Sequence, residues 1–221
     1  SGVAYNEAND IDLGSDEGIA NMKSTTLQSS ASTFDQYFAG LGFDLFELPG
    51  GAVAHYVGVE YFEQTYEDIY DGQSEAGLIG GSAGNSSMGD RDVTAIFFES
   101  VLPVSDTVEV NLKARYDDYS DFGDNLAPAV SARWQVADNV VIRGSYSESF
   151  RAPGLDLLNA ARTFSAESAI DYNNGSTTSR QYDTYYTANS ELEAEESDYI
   201  NLGVAWDVND NLSFKLDYFQ L

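Results

Sequence analysis

His55 is the single histidine of the 221-residue chain, and cysteine is absent. A multi-histidine metal centre, a thiolate site and a cysteine nucleophile are thereby excluded, and a Ser-His-Asp relay would have one base to draw on. His55 falls on an apolar stripe beside the turn Leu48-Pro49-Gly50-Gly51, where an interfacial ring is a simpler reading than a general base. Glu63, Glu67, Asp68 and Asp71 could offer oxygens to Ca²⁺, but their spacing is not that of an EF-hand loop, and solvated loop charge accounts for them. No metal or cofactor is expected. Arg151, Tyr182, Asp183, Tyr185 and Tyr186 lie in a long polar stretch and pair aromatic faces with charged or hydroxyl tips, a chemistry suited to sugars or aromatic chelates. For each residue alone, packing within a solvated loop is the plainer role. Arg151 also fits a clamp on an acidic neighbour such as Glu148 or Asp156. Lys113, Arg115, Arg133 and Arg143 recur on one stripe as a basic ladder that would attract anions, or that pairs with Glu109, Asp117 and other carboxylates.

The elements that must carry these residues are strands. In 107 to 116, Val108, Val110, Leu112, Ala114 and Tyr116 alternate with Thr107, Glu109, Asn111, Lys113 and Arg115, which gives one oily and one charged face. The same alternation sets Leu126, Val130, Ala132, Trp134 and Val136 against Ser131, Arg133 and Gln135. It sets Val140, Ile142 and Tyr146 against Arg143, Ser145 and Ser147. It returns with Ile200, Leu202, Val204 and Trp206, and with Leu212, Phe214, Leu216 and Tyr218. Three earlier candidates, near 34–47, 52–66 and 91–102, bring the total to eight. The third is apolar on both faces around Ile96-Phe97-Phe98, so alternation does not give its phase.

Tight polar turns at 48–51, 103–106, 137–139 and 209–211 alternate with longer connections at 67–90 and 149–196 and a short link at 121–124. Short and long connections therefore fall at opposite ends of an up-and-down antiparallel sheet. The first 32 residues read as an acidic loop or flanking segment, with a helical turn near Asp16 to Met22. Residues 33–221 read as the sheet with its outer loops.

An oily face serves a soluble sandwich or a membrane barrel equally well. Three features favour the barrel. Basic residues never interrupt the oily stripes, where one would cost roughly 2 to 4 kcal/mol at a bilayer midplane. The strands reach the roughly 9 to 11 residues that a tilted crossing needs. Tyr61, Tyr116, Tyr146, Trp206 and Tyr218 sit toward strand ends, as interfacial girdles do. In a barrel the ladder Lys113, Arg115, Arg133 and Arg143 is lumen-facing. A charge of -27, from 37 acidic and 10 basic residues, excludes nucleic acid as a partner on electrostatic grounds.

The segment Arg143-Gly144-Ser145-Tyr146-Ser147-Glu148-Ser149-Phe150-Arg151-Ala152-Pro153-Gly154-Leu155-Asp156-Leu157-Leu158 closely resembles a signature of TonB-dependent outer-membrane receptors. Phe46-Glu47-Leu48-Pro49-Gly50-Gly51 with Val57-Gly58-Val59-Glu60-Tyr61 looks like a periplasmic hairpin of that family. Arg115 to Gly123, Leu192 to Ser197, Asn201 to Val204 and Leu216 to Phe219 follow in the family's order, so the resemblance covers about 33–221. It implies an all-β meander forming part of a transmembrane barrel of about 22 strands. The family's plug domain and TonB-engaging box are not matched, so an internal piece of the barrel is expected.

The function implied by this resemblance is active import, without covalent catalysis, of a large scarce ligand such as a ferric siderophore, cobalamin or oligosaccharide. The implied partners are the ligand, the TonB coupling protein acting through a plug, and lipid and lipopolysaccharide of a Gram-negative outer membrane. Divalent cations on the lipopolysaccharide would bridge the loop acids. A soluble sandwich that binds carbohydrate or protein, a passive porin and an outer-membrane enzyme are the alternatives.

Overall fold

The computed structural model describes residues 14–79 and 84–221, so the first part of the acidic segment and part of the 67–90 connection lie outside the described residues. Eight strands pair as one sheet in the order β1-β2-β3-β4-β5-β6-β9-β10. They are β1 Gln28–Leu48, β2 Gly51–Tyr70, β3 Ser87–Ser105, β4 Val108–Tyr119, β5 Gly123–Ala137, β6 Val140–Arg151, β9 Glu195–Asn209 and β10 Leu212–Gln220. The meander is the expected one, and the sheet is open, with β1 and β10 at its edges. Among the described residues no helix is long and apolar enough to cross a membrane, which says nothing of crossing by strands.

Contacts divide the chain into two compact units. One holds residues through Ser30, Glu67–Ser87 and Ala160–Thr187; the other holds Ala31–Tyr66, Met88–Asn159 and Ala188–Leu221.

In the second unit the register places the oily stripes of β4, β5, β6, β9 and β10 on one face. Tyr116 stands beside Leu126, Leu112 beside Val130, and Val108 beside Trp134. Val130 then meets Tyr146, Tyr146 meets Ile200, and Ile142 meets Val204, which faces Leu216. β3 joins in the phase that alternation alone did not give. Ile96 and Phe98 lie beside Tyr116 and Ala114 on the oily face, and Phe97 lies beside Arg115 on the polar one. Leu126, Trp134, Leu202, Phe214 and Leu216 are all exposed, and the fully buried apolar side chains are few, Val53, Val93 and Ala95 among them. A soluble sandwich would close such a face against a second sheet; here it stays open among the described residues.

The short turns all fall at one end of the sheet. Gly51 at the first adopts φ 134°, a region that favours glycine. The strands run further than alternation indicates at the other end, so the connection expected over 67–90 begins only after Tyr70 and ends at Ser87. In the first unit, polar cross-strand bonds rather than apolar burial hold that extension. The Gln28 amide and Ser30 hydroxyl both donate to Asp68, the latter at 2.6 Å.

The first unit also contains α1 (Asp16–Met22), capped by Ser15, and α2 (Gly72–Glu75), capped by Asp71. The stretch from 149 to 196 is less loop-like than its composition indicates. It contains α3 (Leu155–Asn159) in the second unit and, in the first, a hairpin of β7 (Thr163–Ala169) and β8 (Arg180–Tyr186). The hairpin's register runs from Thr163 opposite Tyr186 to Ala169 opposite Arg180.

Candidate functional site

Alternation sends the charged side chains of β2, β3, β4, β5, β6 and β10 to the face opposite the oily one, and there they meet across strands. Arg115 is the hub. Its Nη1 donates to Glu60 Oε2 at 2.7 Å, its Nε donates to Asp117 Oδ1 at 2.9 Å, and Gln36 donates to the same Glu60. Asp117 is 2% exposed, so this carboxylate depends on Arg115 for its charge balance. Lys113 pairs with Glu99 at 2.7 Å, directly opposite in register. Arg143 pairs with Asp217 at 2.7 Å, two strands away. Arg133 donates to Gln135 and has no carboxylate within ion-pair distance among the described residues, while Glu109 accepts from Asn111. Ion pairing thus accounts for three of the four ladder residues, and Glu109 is not the partner that the sequence offered for them.

Aromatic rings interrupt this charged face. Phe97 packs between Phe38 and Tyr56, at 5.6 and 5.8 Å between centroids, with the Arg115 guanidinium 5.9 Å from its centre. The tip of the ring sits against Gly58, where any Cβ would collide with it. A groove of about 500 Å³ opens here between Phe97, Lys113, Arg115, Ala127 and Ala129. A second groove, of about 460 Å³, carries Arg133, Arg143 and Lys215 toward the short-turn end.

The residues chosen from the sequence as ligand contacts belong to different units. Tyr182, Asp183, Tyr185 and Tyr186 belong to β8 in the first unit, and Tyr185 carries the Arg162 guanidinium 4.1 Å over its ring. Arg151 ends β6 in the second unit. Arg151 is not a clamp on Glu148 or Asp156: it lies 3.6 Å from Glu195, its neighbour in register, and both are more than three-quarters exposed. Glu148 instead accepts the Tyr146 hydroxyl, at 2.8 Å.

The buried clamp at this end is a residue that sequence reasoning missed. Arg91 is 6% exposed, and its Nε and Nη2 donate to Asp121 Oδ2 at 2.9 and 2.5 Å. Nη2 also donates to the Pro153 carbonyl at 2.7 Å, and the guanidinium lies over the rings of Tyr119 and Phe122. Flanked by Asp90 and Asp92, Arg91 looks like ordinary loop charge; its one legible signal is being a lone cation within an acidic, strand-like run.

His55 sits on the oily face among Phe43, Phe46 and Phe98, with ring centroids 5.5 to 6.2 Å away and neither imidazole nitrogen hydrogen-bonded. Nothing aims it as a base. Among the described residues no three acidic or histidine side chains gather as a metal site. Asp71, one of the loop acids, instead caps α2 and accepts the Leu27 N–H at 3.0 Å. That N–H, helped by the Ser74 hydroxyl and the α2 amides, holds its carboxyl at about 2, below the usual range.

The family model of the TonB dependent receptor-like β-barrel matches residues 1–221. The chain is 26% identical over 105 residues to the probable TonB-dependent siderophore receptor PirA of Acinetobacter baumannii, a match covering 45% of this chain and 14% of that protein. Among solved structures, a mutant of the ferric enterobactin receptor PfeA of Pseudomonas aeruginosa superposes with a TM-score of 0.67 at 23% identity, covering 86% of this chain and 26% of that one. The siderophore receptor PirA of A. baumannii gives 0.65 at 20% identity, covering 87% and 27%. The RagAB peptide transporter gives 0.57 at 14% identity, covering 88% and 24%, so likeness of fold by itself does not choose the cargo. The chain spans about a quarter of the length of these structures.

Proposed function

The chain belongs to the TonB-dependent receptor β-barrel family, and from that premise we propose that it is a stretch of barrel wall in an outer-membrane transporter that imports a ferric siderophore under TonB coupling. The observation that carries the reading is the division of the sheet into two faces. One presents Leu126, Trp134, Leu202 and Leu216 to the surroundings, and the other bears the network of Glu60, Arg115 and Asp117. A lipid bilayer is the medium that such an oily face fits without a second protein layer. The charged face, with Lys113, Arg115, Arg133 and Arg143, then lines the lumen.

The sequence match to a probable TonB-dependent siderophore receptor supports a ferric siderophore rather than cobalamin or oligosaccharide as cargo. On this reading Tyr182, Asp183, Tyr185 and Tyr186 meet the ligand, a plug engages TonB, and lipid with lipopolysaccharide surrounds the wall. No covalent step is needed.

The test is a deletion strain grown under iron limitation with ferric enterobactin and other ferric chelates as sole iron sources. Loss of growth and of radiolabelled iron uptake with at least one chelate, restored by the full-length gene, is the expected result. Unchanged iron uptake across the set would overturn the cargo, and recovery of the protein from the soluble fraction would overturn the barrel.

A further inference from the structure

Three facts of the second unit converge on the outer part of β3. Arg91 is buried yet charged, and its donors hold a side chain from the β4–β5 connection, Asp121, together with a main-chain carbonyl from the segment after β6, that of Pro153. Two residues away, Gly89 lies where a Cβ would collide with the Asn159 amide and touch Leu155, so α3 rests on bare β3 backbone. Leu155 and Leu158 are buried there, at 5% and 7% exposure. The Asn189 N–H then donates to the Leu157 carbonyl at 3.1 Å, which ties the returning chain to the outgoing one. The chain is therefore pinned at both flanks of 160–187 by a collar that lies within the second unit.

We infer that Arg91 is a positioning residue for ligand capture: by gripping Asp121 and Pro153 together it docks α3 on β3 and holds the chain where Leu157 meets the returning Asn189. The inference rests on the transport reading above for its ligand, but not for its geometry. Burying a guanidinium is costly unless its donors are met, and a lysine at this position would supply one point charge instead of a planar fork. Glycine and arginine at adjacent inward positions of one strand, one for approach and one for grip, are what docking a helix here requires.

The test uses the full-length receptor in outer membranes, with a spin label on Ser190→Cys as reporter. Replacing both buried partners, Arg91→Met with Asp121→Asn, removes the grip without leaving a lone buried charge, so the barrel is expected to assemble. The label becomes more mobile. The apparent KM for ferric enterobactin uptake rises about tenfold if the docked form falls to roughly a tenth of the population, and Vmax per surface receptor stays the same. Arg91→Lys recovers part of the affinity. An unchanged label spectrum overturns the inference. So does a mobile label with unchanged KM, or a fall in Vmax that tracks surface abundance alone. If the parent receptor takes up no ferric enterobactin, the transport reading fails for that cargo, while the label still decides whether Arg91 holds the collar.

Discussion

Arg143 on β6 reaches over the whole of β9 to bind Asp217 on β10, its Nη2 lying 2.7 Å from Oδ1 and 2.8 Å from Oδ2. Gly203 lets it pass. In register Arg143 faces Gly203, and Gly203 faces Asp217, so the guanidinium spans two strand spacings of roughly 5 Å each. A Cβ on Gly203 would strike the Asp217 carboxylate and sit 2.8 Å from Arg143 Nε. Gly203→Val is expected to separate the pair and cost about 1 to 3 kcal/mol, most of it from crowding, because the pair itself is half-exposed and worth little. Urea titration of the barrel refolded in lipid vesicles measures it. Asp217→Asn, which removes the charge and leaves the space, should cost less than 1 kcal/mol.

Asp117→Ala removes a carboxylate that is 2% exposed and bonded to Arg115. Breaking a buried pair typically costs 3 to 5 kcal/mol. Arg115 keeps Glu60 and is itself partly exposed, so the loss should be nearer roughly 2 kcal/mol. The same urea titration reads it, and a double-mutant cycle with Glu60→Gln should show the two carboxylates to be non-additive.

The two faces respond oppositely to the same substitution. Leu202→Arg places a cation on the oily face, where it is expected to cost roughly 2 to 4 kcal/mol if the residue lies near the midplane. Asn201→Arg, one residue away on the polar face, should be tolerated. The fraction of heat-modifiable folded barrel on unboiled gels distinguishes them, and equal behaviour would mean that lipid does not contact Leu202.

Asp71 makes a local pH dependence. Its folded carboxyl titrates at about 2, against an ordinary value of 3.8, because the Leu27 N–H and the α2 cap favour the charged form. A depressed pKa contributes stability fully above the unfolded value and loses it as pH falls through about 4 toward 2. Opening of the Leu27 amide, followed by hydrogen exchange, should therefore increase over that window. In Asp71→Asn the window should disappear, with Leu27 exchanging faster at neutral pH.

The sheet was legible because lipid and side-chain alternation impose the same period. Val108 to Tyr116 carries a clean oily stripe, and its neighbours follow in register. β3 was harder: Phe97 is an aromatic on the polar face, held by Phe38, Tyr56 and Gly58 from other strands, and no local pattern announces that. The outer ends of β1 and β2 were read short because Gln28, Ser30 and Asp68 hold them by hydrogen bonds, which leave no hydropathy signal. The collar was hidden for another reason. Arg91 and Pro153 are 62 residues apart, and only the fold brings the guanidinium to the carbonyl. Arg151, prominent within its motif, proved to be exposed, while the arginine that matters for that motif lay upstream of it.

The ring of Phe97, pressed on bare Gly58 backbone between Phe38 and Tyr56, is a dry island on an otherwise wettable wall. On the transport reading proposed above, a solute moving along that wall would meet ring faces here, with the charged donors of Lys113 and Arg115 beside them.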